Sequence, residues 1–153
     1  MTASLSGPWH LPQIEAFMSR SKIPMRLACV GKDGFPRVVS VWFRYTDGSL
    51  QCVTHKDSHL ANTLRDNARV GFEIAPNDPP YHGVRGRGTT TLAPLGSATV
   101  LEELLAHYLG GQDSRVGNWL LSRKEEELLV TVQPLNLFSW DYRERMADVA
   151  DRD

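Results

Sequence analysis

An Asp-Gly pair between two β-rich runs is the feature that most constrains the fold of this chain. Asp47-Gly48 separates residues 37–45 from residues 50–54, and apolar and β-branched side chains dominate both runs. Such a pair favours a tight hairpin turn, because its central residues must tolerate positive φ. The sequence therefore predicts two antiparallel strands joined at this turn. A parallel βαβ arrangement is excluded here, because parallel strands need a long crossover connection.

Further strands and helices follow from the spacing of apolar residues. Additional strands are predicted at residues 25–30, 70–75, 81–92, 128–132 and 135–140. Helices are predicted from Pro12, after an N-cap at Asp57 or Ser58, over residues 97–109 with a Thr99–Glu102 capping box, and from an N-cap at Asp113 to Leu121. Together these elements predict a small, mainly antiparallel β-barrel with peripheral helices.

Length and composition point to one ordinary globular domain. The 153 residues are expected to form a single unit over 1–153, with an N-terminal helix region at 1–22 and a frayed tail at 147–153. A net charge of −1 gives no field that would gather nucleic acid. No apolar run reaches the roughly 18 residues that span a bilayer, and no secretion signal is recognised. Cys29 and Cys52 lie in apolar strands and are expected to be buried free thiols, so the predicted location is cytoplasmic.

Two local patterns superficially suggest ligand sites. His55 and His59 are four residues apart, but they straddle the end of a predicted strand and Lys56 would oppose a cation, so no metal site is predicted. The run GVRGRG at 83–88 has the wrong order for a dinucleotide-binding loop, and its glycines are expected to permit a bulge or close backbone contact. Arg85 and Arg87 then share one strand face, which either meets solvent or lines the way to an anionic ligand.

Several short segments, in the correct order, resemble the flavin-binding split barrel of the pyridoxamine 5′-phosphate oxidase family. They are DGFPRVVSVWFRYTDG at 33–48, Val-Thr at 53–54, Ser58, DNARV at 66–70, DSRVGNW at 113–119 and FSWD at 138–141. The resemblance implies a mainly β protein with peripheral helices, built on a six-stranded antiparallel split barrel. It also implies a homodimer with one FMN at each end of the interface.

The resemblance and the chemistry of FMN together predict the cofactor site. The FMN phosphate carries nearly two negative charges and needs charge-assisted donors. A helix starting near Ser58 adds free N–H groups and the positive end of its dipole. The isoalloxazine edge needs backbone partners, and an aromatic residue with a nearby cation would cover the flavin from the second subunit. The predicted cofactor-binding residues are Arg37, Val38, Val39, Ser40, Thr54, Lys56, Ser58, His59, Trp140 and Arg143.

The sequence also departs from the family pattern. The usual phosphate turn reads Ser-Arg-Lys, whereas this chain has Ser58-His59-Leu60. At ~1.5–3 kcal/mol for each charged hydrogen bond, that loss weakens FMN binding by roughly ten- to a thousand-fold, and Lys56 restores part of the charge. On the substrate side, Trp42 stands where the oxidase has a lysine, although Tyr108 and Ser114 keep the positions of two phosphate contacts.

Trp42, Tyr108 and Ser114 are therefore predicted to bind substrate, but the pocket is poorly suited to pyridoxamine phosphate, and that activity is not expected. No acid–base pair stands out, so no catalytic residue is assigned. The predicted function is an FMN-dependent oxidoreductase acting on an unidentified small organic substrate. Two alternatives remain open. One is a reductase using the deazaflavin F420, whose acidic tail could meet Arg85, Arg87 and Lys56. The other is a non-catalytic carrier of flavin or haem.

Overall fold

One eight-stranded sheet dominates the computed structural model, which describes residues 2–150. The strands are β1 (Ser4–Ser6), β2 (Met25–Val30), β3 (Pro36–Val41), β4 (Arg44–Thr46), β5 (Ser49–His55), β6 (Arg69–Ile74), β7 (His82–Pro94) and β8 (Glu127–Asp141). The helices are α1 (Leu11–Arg20), α2 (His59–Asp66), α3 (Val100–Leu109), α4 (Arg115–Ser122) and α5 (Ala147–Ala150), with a 3₁₀ turn at Lys124–Glu126. No helix within these residues is long and apolar enough to cross a bilayer.

The sheet curls into a half-barrel whose strands run in the order β3-β2-β6-β7-β8-β5-β4. Every neighbouring pair along this path is antiparallel, and only β1 adds to β8 in parallel. The predicted fold class, mainly β and antiparallel with peripheral helices, is therefore confirmed. The Asp47-Gly48 hairpin is confirmed as well, because both residues have positive φ, 49° and 75°.

The strands differ from the six-stranded expectation in three places. The predicted strand at 37–45 is broken at Trp42-Phe43 into β3 and β4. The two predicted C-terminal strands are one continuous strand, β8, because Pro134 sits beside a register shift where Leu135 is the extra residue. A proline is tolerated at such a bulge, since the ladder is already interrupted there. β1 is short and was not predicted.

Side chains near the helix ends decide where the helices start. Ser58 caps α2, as expected, by accepting a hydrogen bond from the Ala61 amide at 3.0 Å. The cap of α4 is Ser114 rather than Asp113. The predicted Thr99–Glu102 capping box is wrong, because the Thr99 hydroxyl donates to Glu103 one residue further on. Of the predicted frayed tail, residues 147–150 form α5, and residues 151–153 lie outside the described part of the chain.

Apolar side chains form two separate clusters on opposite faces of the sheet. The larger fills the inside of the half-barrel and includes Cys29 and Cys52, both buried as free thiols as predicted. The smaller lies outside the sheet beneath α3 and α4. Neighbouring residues of β5 point to opposite faces of the sheet, so Cys52 packs in the larger cluster and Val53 against the smaller one.

The glycines of β7 allow close contact between strands, as predicted. A Cβ atom on Gly86 would overlap the carbonyl oxygen of Asn136 on β8, and one on Gly88 would lie 2.5 Å from the carbonyl oxygen of Gln133. The register shift falls between Arg87 and Gly88. The GVRGRG run therefore serves strand packing.

Candidate functional site

A gap between β3 and β5 is the candidate functional site. β3 and β4 are the two edges of the sheet, and only Trp42 and Phe43 separate them in the chain. β4 pairs with β5, whereas β3 has turned away to pair with β2 alone. Ser40, Val41 and Trp42, at the junction of β3 and β4, line one cavity with Val53 of β5. The β3–β5 gap, as we call it, lies between the free edge of β3 and β5, with Thr54 and Ser58 at its first end and Trp42 at its second.

The first end of the gap holds two hydroxyl groups at the start of α2. Thr54 Oγ1 and Ser58 Oγ are 2.7 Å apart, and Ser58 Oγ also accepts from the Ala61 amide. The amides of His59 and Leu60 have no hydrogen-bond partner among residues 2–150. Free amides, hydroxyl groups and a helix N-terminus together suit an anionic group such as phosphate.

Cationic side chains surround this end of the gap, although each has an internal partner. Lys56 Nζ lies 3.9 Å from Glu126, whose carboxylate also contacts His55 Nε2 at 3.0 Å. Hydrogen bonding from His55 and the charge of Lys56 lower the pKa of Glu126. Arg65 reaches back along α2 to donate to the Lys56 carbonyl at 2.8 Å. Sequence reasoning missed Arg65, although helical side chains lean toward the N-terminus of their helix.

Arg37 pairs with Asp33, 3.3 Å away, within its own hairpin. The Phe35 amide chiefly, and Arg37 next, lower the pKa of that aspartate. Both side chains are about half exposed, and a surface pair of this kind contributes only about 0–1 kcal/mol. An anion with nearly two charges can therefore compete with Asp33 for Arg37.

One side of the gap is an unpaired strand edge. β3 has β2 on one side and no strand on the other within the described residues. The backbone groups of Val38, Val39 and Ser40 that point away from β2 therefore have no ladder partner. Such groups supply both donors and acceptors in a fixed row. The backbone contacts to a flavin that the sequence predicts for these three residues stay a prediction.

The second end of the gap opens into an apolar cavity of about 230 Å³. Ser40, Trp42 and Val53 line it from the sheet, and α3 and α4 close it from outside. The ring of Trp42 stacks on Tyr108 with centroids 5.3 Å apart and planes 9° from parallel. Two residues that the sequence predicted as substrate contacts are thus brought together.

The hydroxyl groups predicted to meet substrate have partners inside the protein. Tyr108 Oη accepts from the Phe43 amide at 3.3 Å and lies 3.3 Å from the Ile23 carbonyl oxygen. Burial raises the pKa of Tyr108. Ser114 Oγ accepts from the Gly117 amide at 2.9 Å as the cap of α4. Both hydroxyl groups already have hydrogen-bond partners within the protein, so neither needs a ligand as a partner.

Trp140 and Arg143 lie far from the gap of their own chain. Val132 is the last residue of β8 that pairs with β5. Trp140 lies eight residues further along β8, which is about 26 Å of extended strand. Arg143 donates to both carboxylate oxygens of Asp141, at 2.9 and 2.6 Å. That pairing lowers the pKa of Asp141, which also accepts from Trp9 Nε1 at 3.0 Å. Within one chain, these two residues therefore lie apart from the other predicted cofactor-binding residues.

The outer face of β7 carries the two arginines of the glycine-rich run. Arg85 and Arg87 are both exposed, and the Arg85 guanidinium lies 4.6 Å from the Phe138 ring. Phe138 in turn stacks near Trp140 at 6.3 Å. Residues 2–150 contain no group of three side chains that could hold a metal ion.

Glu127 is a residue that the sequence misplaced. The three glutamates at 125–127 are interpreted from sequence as a solvated face, but Glu127 is only 4% exposed and lines the 230 Å³ cavity. Its Oε1 accepts from Arg123 Nε at 2.8 Å. The available sequence signal is Arg123, an opposite charge four positions before Glu127.

Comparison with known proteins matches this geometry to a family. A family model described as Pyridoxamine 5′-phosphate oxidase covers residues 11–131. The chain belongs to the pyridoxamine 5′-phosphate oxidase family. No curated protein matches it.

Solved structures of the same fold are distant in sequence. A conserved hypothetical protein from Mycobacterium tuberculosis is 23% identical, with a TM-score of 0.77 over 90% of this chain and 88% of the other. An F420 reductase is 21% identical, with a TM-score of 0.69 over 80% and 94%. An FAD-binding protein from Mesorhizobium loti is 18% identical, with a TM-score of 0.63 over 86% and 93%. At these identities the likeness establishes the split-barrel fold, and this chain is a divergent member of the oxidase family.

Proposed function

We propose that this chain is an FMN-binding oxidoreductase that acts on a small organic substrate. The observation that carries the proposal is the Thr54–Ser58 hydroxyl pair beside the free amides of α2, at one end of the β3–β5 gap. FMN would place its phosphate there, with Lys56, His59 and Arg37 as the cationic partners. The bound flavin would supply the redox chemistry, while the chain binds and orients it.

The remaining length of the gap fits the other parts of the cofactor. The edge of β3 offers backbone donors and acceptors at Val38, Val39 and Ser40 to the polar edge of an isoalloxazine ring. The cavity beside Trp42 then lies next to the ring, where a substrate would be held. The phosphate-specific oxidase activity is not part of this proposal, because the cavity presents Trp42 and the Glu127 carboxylate, and a carboxylate repels phosphate.

A homodimer is part of the proposal because the sheet exposes apolar residues on its outer face. Val38 is 66% exposed, Leu135 is 48% exposed and Val30 is 39% exposed, all on strands. Neighbouring apolar side chains left in water usually mark an interaction surface. In this proposal the second copy also supplies its Trp140 and Arg143 to the β3–β5 gap.

Binding of FMN and of riboflavin to the same protein tests the phosphate site. The two ligands differ only in the phosphate, so FMN should bind more tightly. Arg37→Gln should weaken FMN by about ten- to a hundred-fold, the value of one charged hydrogen bond, and leave riboflavin unchanged. Arg20→Gln, on the exposed last turn of α1, is the matched control. Colourless preparations that bind neither flavin in calorimetry would contradict the proposal.

A deazaflavin reductase is the second candidate, favoured by the exposed guanidinium groups of Arg85 and Arg87. An acidic tail longer than the FMN phosphate would gain from these charges in a homodimer whose second copy places this face of β7 beside the gap. Titration of FMN and F420 side by side separates the two cofactors. Reduction of the bound cofactor by NADH or NADPH, followed over repeated turnovers, separates an enzyme from a carrier.

A further inference from the structure

The cavity at the Trp42 end of the gap contains a buried carboxylate that the FMN proposal does not use. Glu127 is 4% exposed, and one of its oxygens, Oε1, is bonded to Arg123. The other oxygen, Oε2, has no hydrogen-bond partner within residues 2–150. It is not completely buried, because the one completely buried and unpaired side-chain polar atom among these residues is Glu102 Oε2. Glu127 is among the residues that line the cavity, so its unpaired oxygen is the group there that a ligand could satisfy.

We propose that this cavity binds a small planar ligand that presents N–H groups, such as a protonated amine or amidine on a ring, to Glu127 Oε2. The inference names the substrate class of the proposed function, and rests on it. A buried ionised oxygen without a donor is costly, so a ligand that supplies one gains a charge-assisted hydrogen bond.

The apolar walls determine the shape of the ligand. Trp42 presents a flat indole that is held in place by stacking on Tyr108, and leucines of α3 and α4 complete the walls. An aromatic or heterocyclic ring packs well against such a surface, and a cation gains further attraction from the indole face. At about 230 Å³, the cavity is smaller than the roughly 300–1,000 Å³ that hold drug-sized ligands, so it suits a single ring.

The charges around the cavity favour a donor over an anion. Arg123 is already committed through its Nε to Glu127 Oε1, and its guanidinium lies 4.4 Å from the Trp119 ring. Lys124, the next cation in the chain, is paired with Glu102 at 2.7 Å. An anionic ligand would meet the Glu127 carboxylate, and the two neighbouring cations are already paired with Glu127 and Glu102.

Three ligands of nearly equal shape test the proposal, namely benzamidine, benzamide and benzoate. They carry a cationic, a neutral and an anionic group on the same ring. The protein is titrated with each, and the indole N–H resonance of Trp42 is followed by NMR, with that of Trp9 as an internal reference. Benzamidine should shift Trp42 and bind at least about ten-fold more tightly than benzoate, with benzamide between them, the size of one charge-assisted hydrogen bond. Trp9, whose indole is bonded to Asp141, should not move.

Glu127→Gln keeps the shape of the side chain and removes its charge, so it should abolish the preference for benzamidine over benzoate. Glu126→Gln is the matched control, because that neighbouring carboxylate is exposed and contacts His55 outside the cavity. Equal binding of benzamidine and benzoate by the unmodified protein would overturn the inference, even if Glu127→Gln failed to fold. A benzamidine preference without any FMN binding would support the cavity assignment and refute the cofactor. FMN binding without a preference for benzamidine would support the cofactor and refute the cavity assignment.

Discussion

Replacing Gly86 with alanine tests how closely β7 and β8 approach each other. A Cβ atom there would overlap the carbonyl oxygen of Asn136 and lie 2.7 Å from Phe72 Cζ. The carbonyl oxygen belongs to the β8 ladder, and Phe72 is 4% exposed in the core, so neither can move freely. Overpacking of this kind costs about 1–3 kcal/mol, and we expect the upper part of that range because backbone must shift.

Gly71 provides a matched control on the neighbouring strand. A Cβ atom there would find its nearest neighbours, Ala28 Cβ and the Gly86 carbonyl oxygen, both at 3.8 Å, an ordinary contact distance. Alanine should therefore fit and stabilise the strand by about 0.5–1 kcal/mol, because glycine loses more freedom on folding. The two alanine variants should thus differ in the sign of their effect.

Thermal and urea denaturation followed by circular dichroism measure both variants. Gly86→Ala should melt about 4–12 °C below the unmodified protein, and Gly71→Ala at or above it. Equal melting temperatures for Gly86→Ala and the unmodified protein would refute the close approach of β7 and β8.

Three further predictions concern single side chains. Tyr108→Phe should lower the free energy of unfolding by about 1–2 kcal/mol in urea denaturation, because the Phe43 amide loses its acceptor; no loss would mean that the hydroxyl serves a ligand instead. The pairing with Arg143 lowers the pKa of Asp141, so the ionised carboxylate should stabilise the fold above the unfolded-state pKa of about 4 and lose this effect as the pH falls further. Asp141→Asn should therefore melt below the unmodified protein at pH 7, and the difference in melting temperature should shrink in acid. Complete burial raises the pKa of Cys52 to about 12, so iodoacetamide should leave it unmodified at pH 8 until urea unfolds the protein, as mass spectrometry would show.

Features fixed by local chemistry were predictable from the sequence. The Asp47-Gly48 turn follows from its need for positive φ, and the Ser58 cap from the free amides at a helix start. The close contact at Gly86 was signalled by glycines in an otherwise extended run. In each case the determining atoms lie within a few residues of one another, or depend only on the absence of a side chain.

Features set by distant partners were not predictable. Pro134 interrupts a local strand pattern, yet β8 continues because the extra residue Leu135 forms a bulge against Arg87 and Gly88 of β7, and a bulge tolerates proline. Glu127 is buried by the packing of α3 and α4, which the residues around it do not reveal, although its ion-pair partner Arg123 lies only four positions earlier. The substrate contact assigned to Ser114 by resemblance stays a prediction, because its bond to the Gly117 amide as the cap of α4 does not test it.

The long strand β8 has a consequence for how the chain acquires its fold. It pairs with β5 along its first half, with β1 along its second half, and with β7 throughout. Both halves of the curled sheet therefore share one backbone, and neither can close before residues 127–141 leave the ribosome. We expect nascent chains stopped ahead of that point to remain protease-sensitive, and amide exchange from β5, β7 and β8 of the finished protein to occur in one cooperative opening.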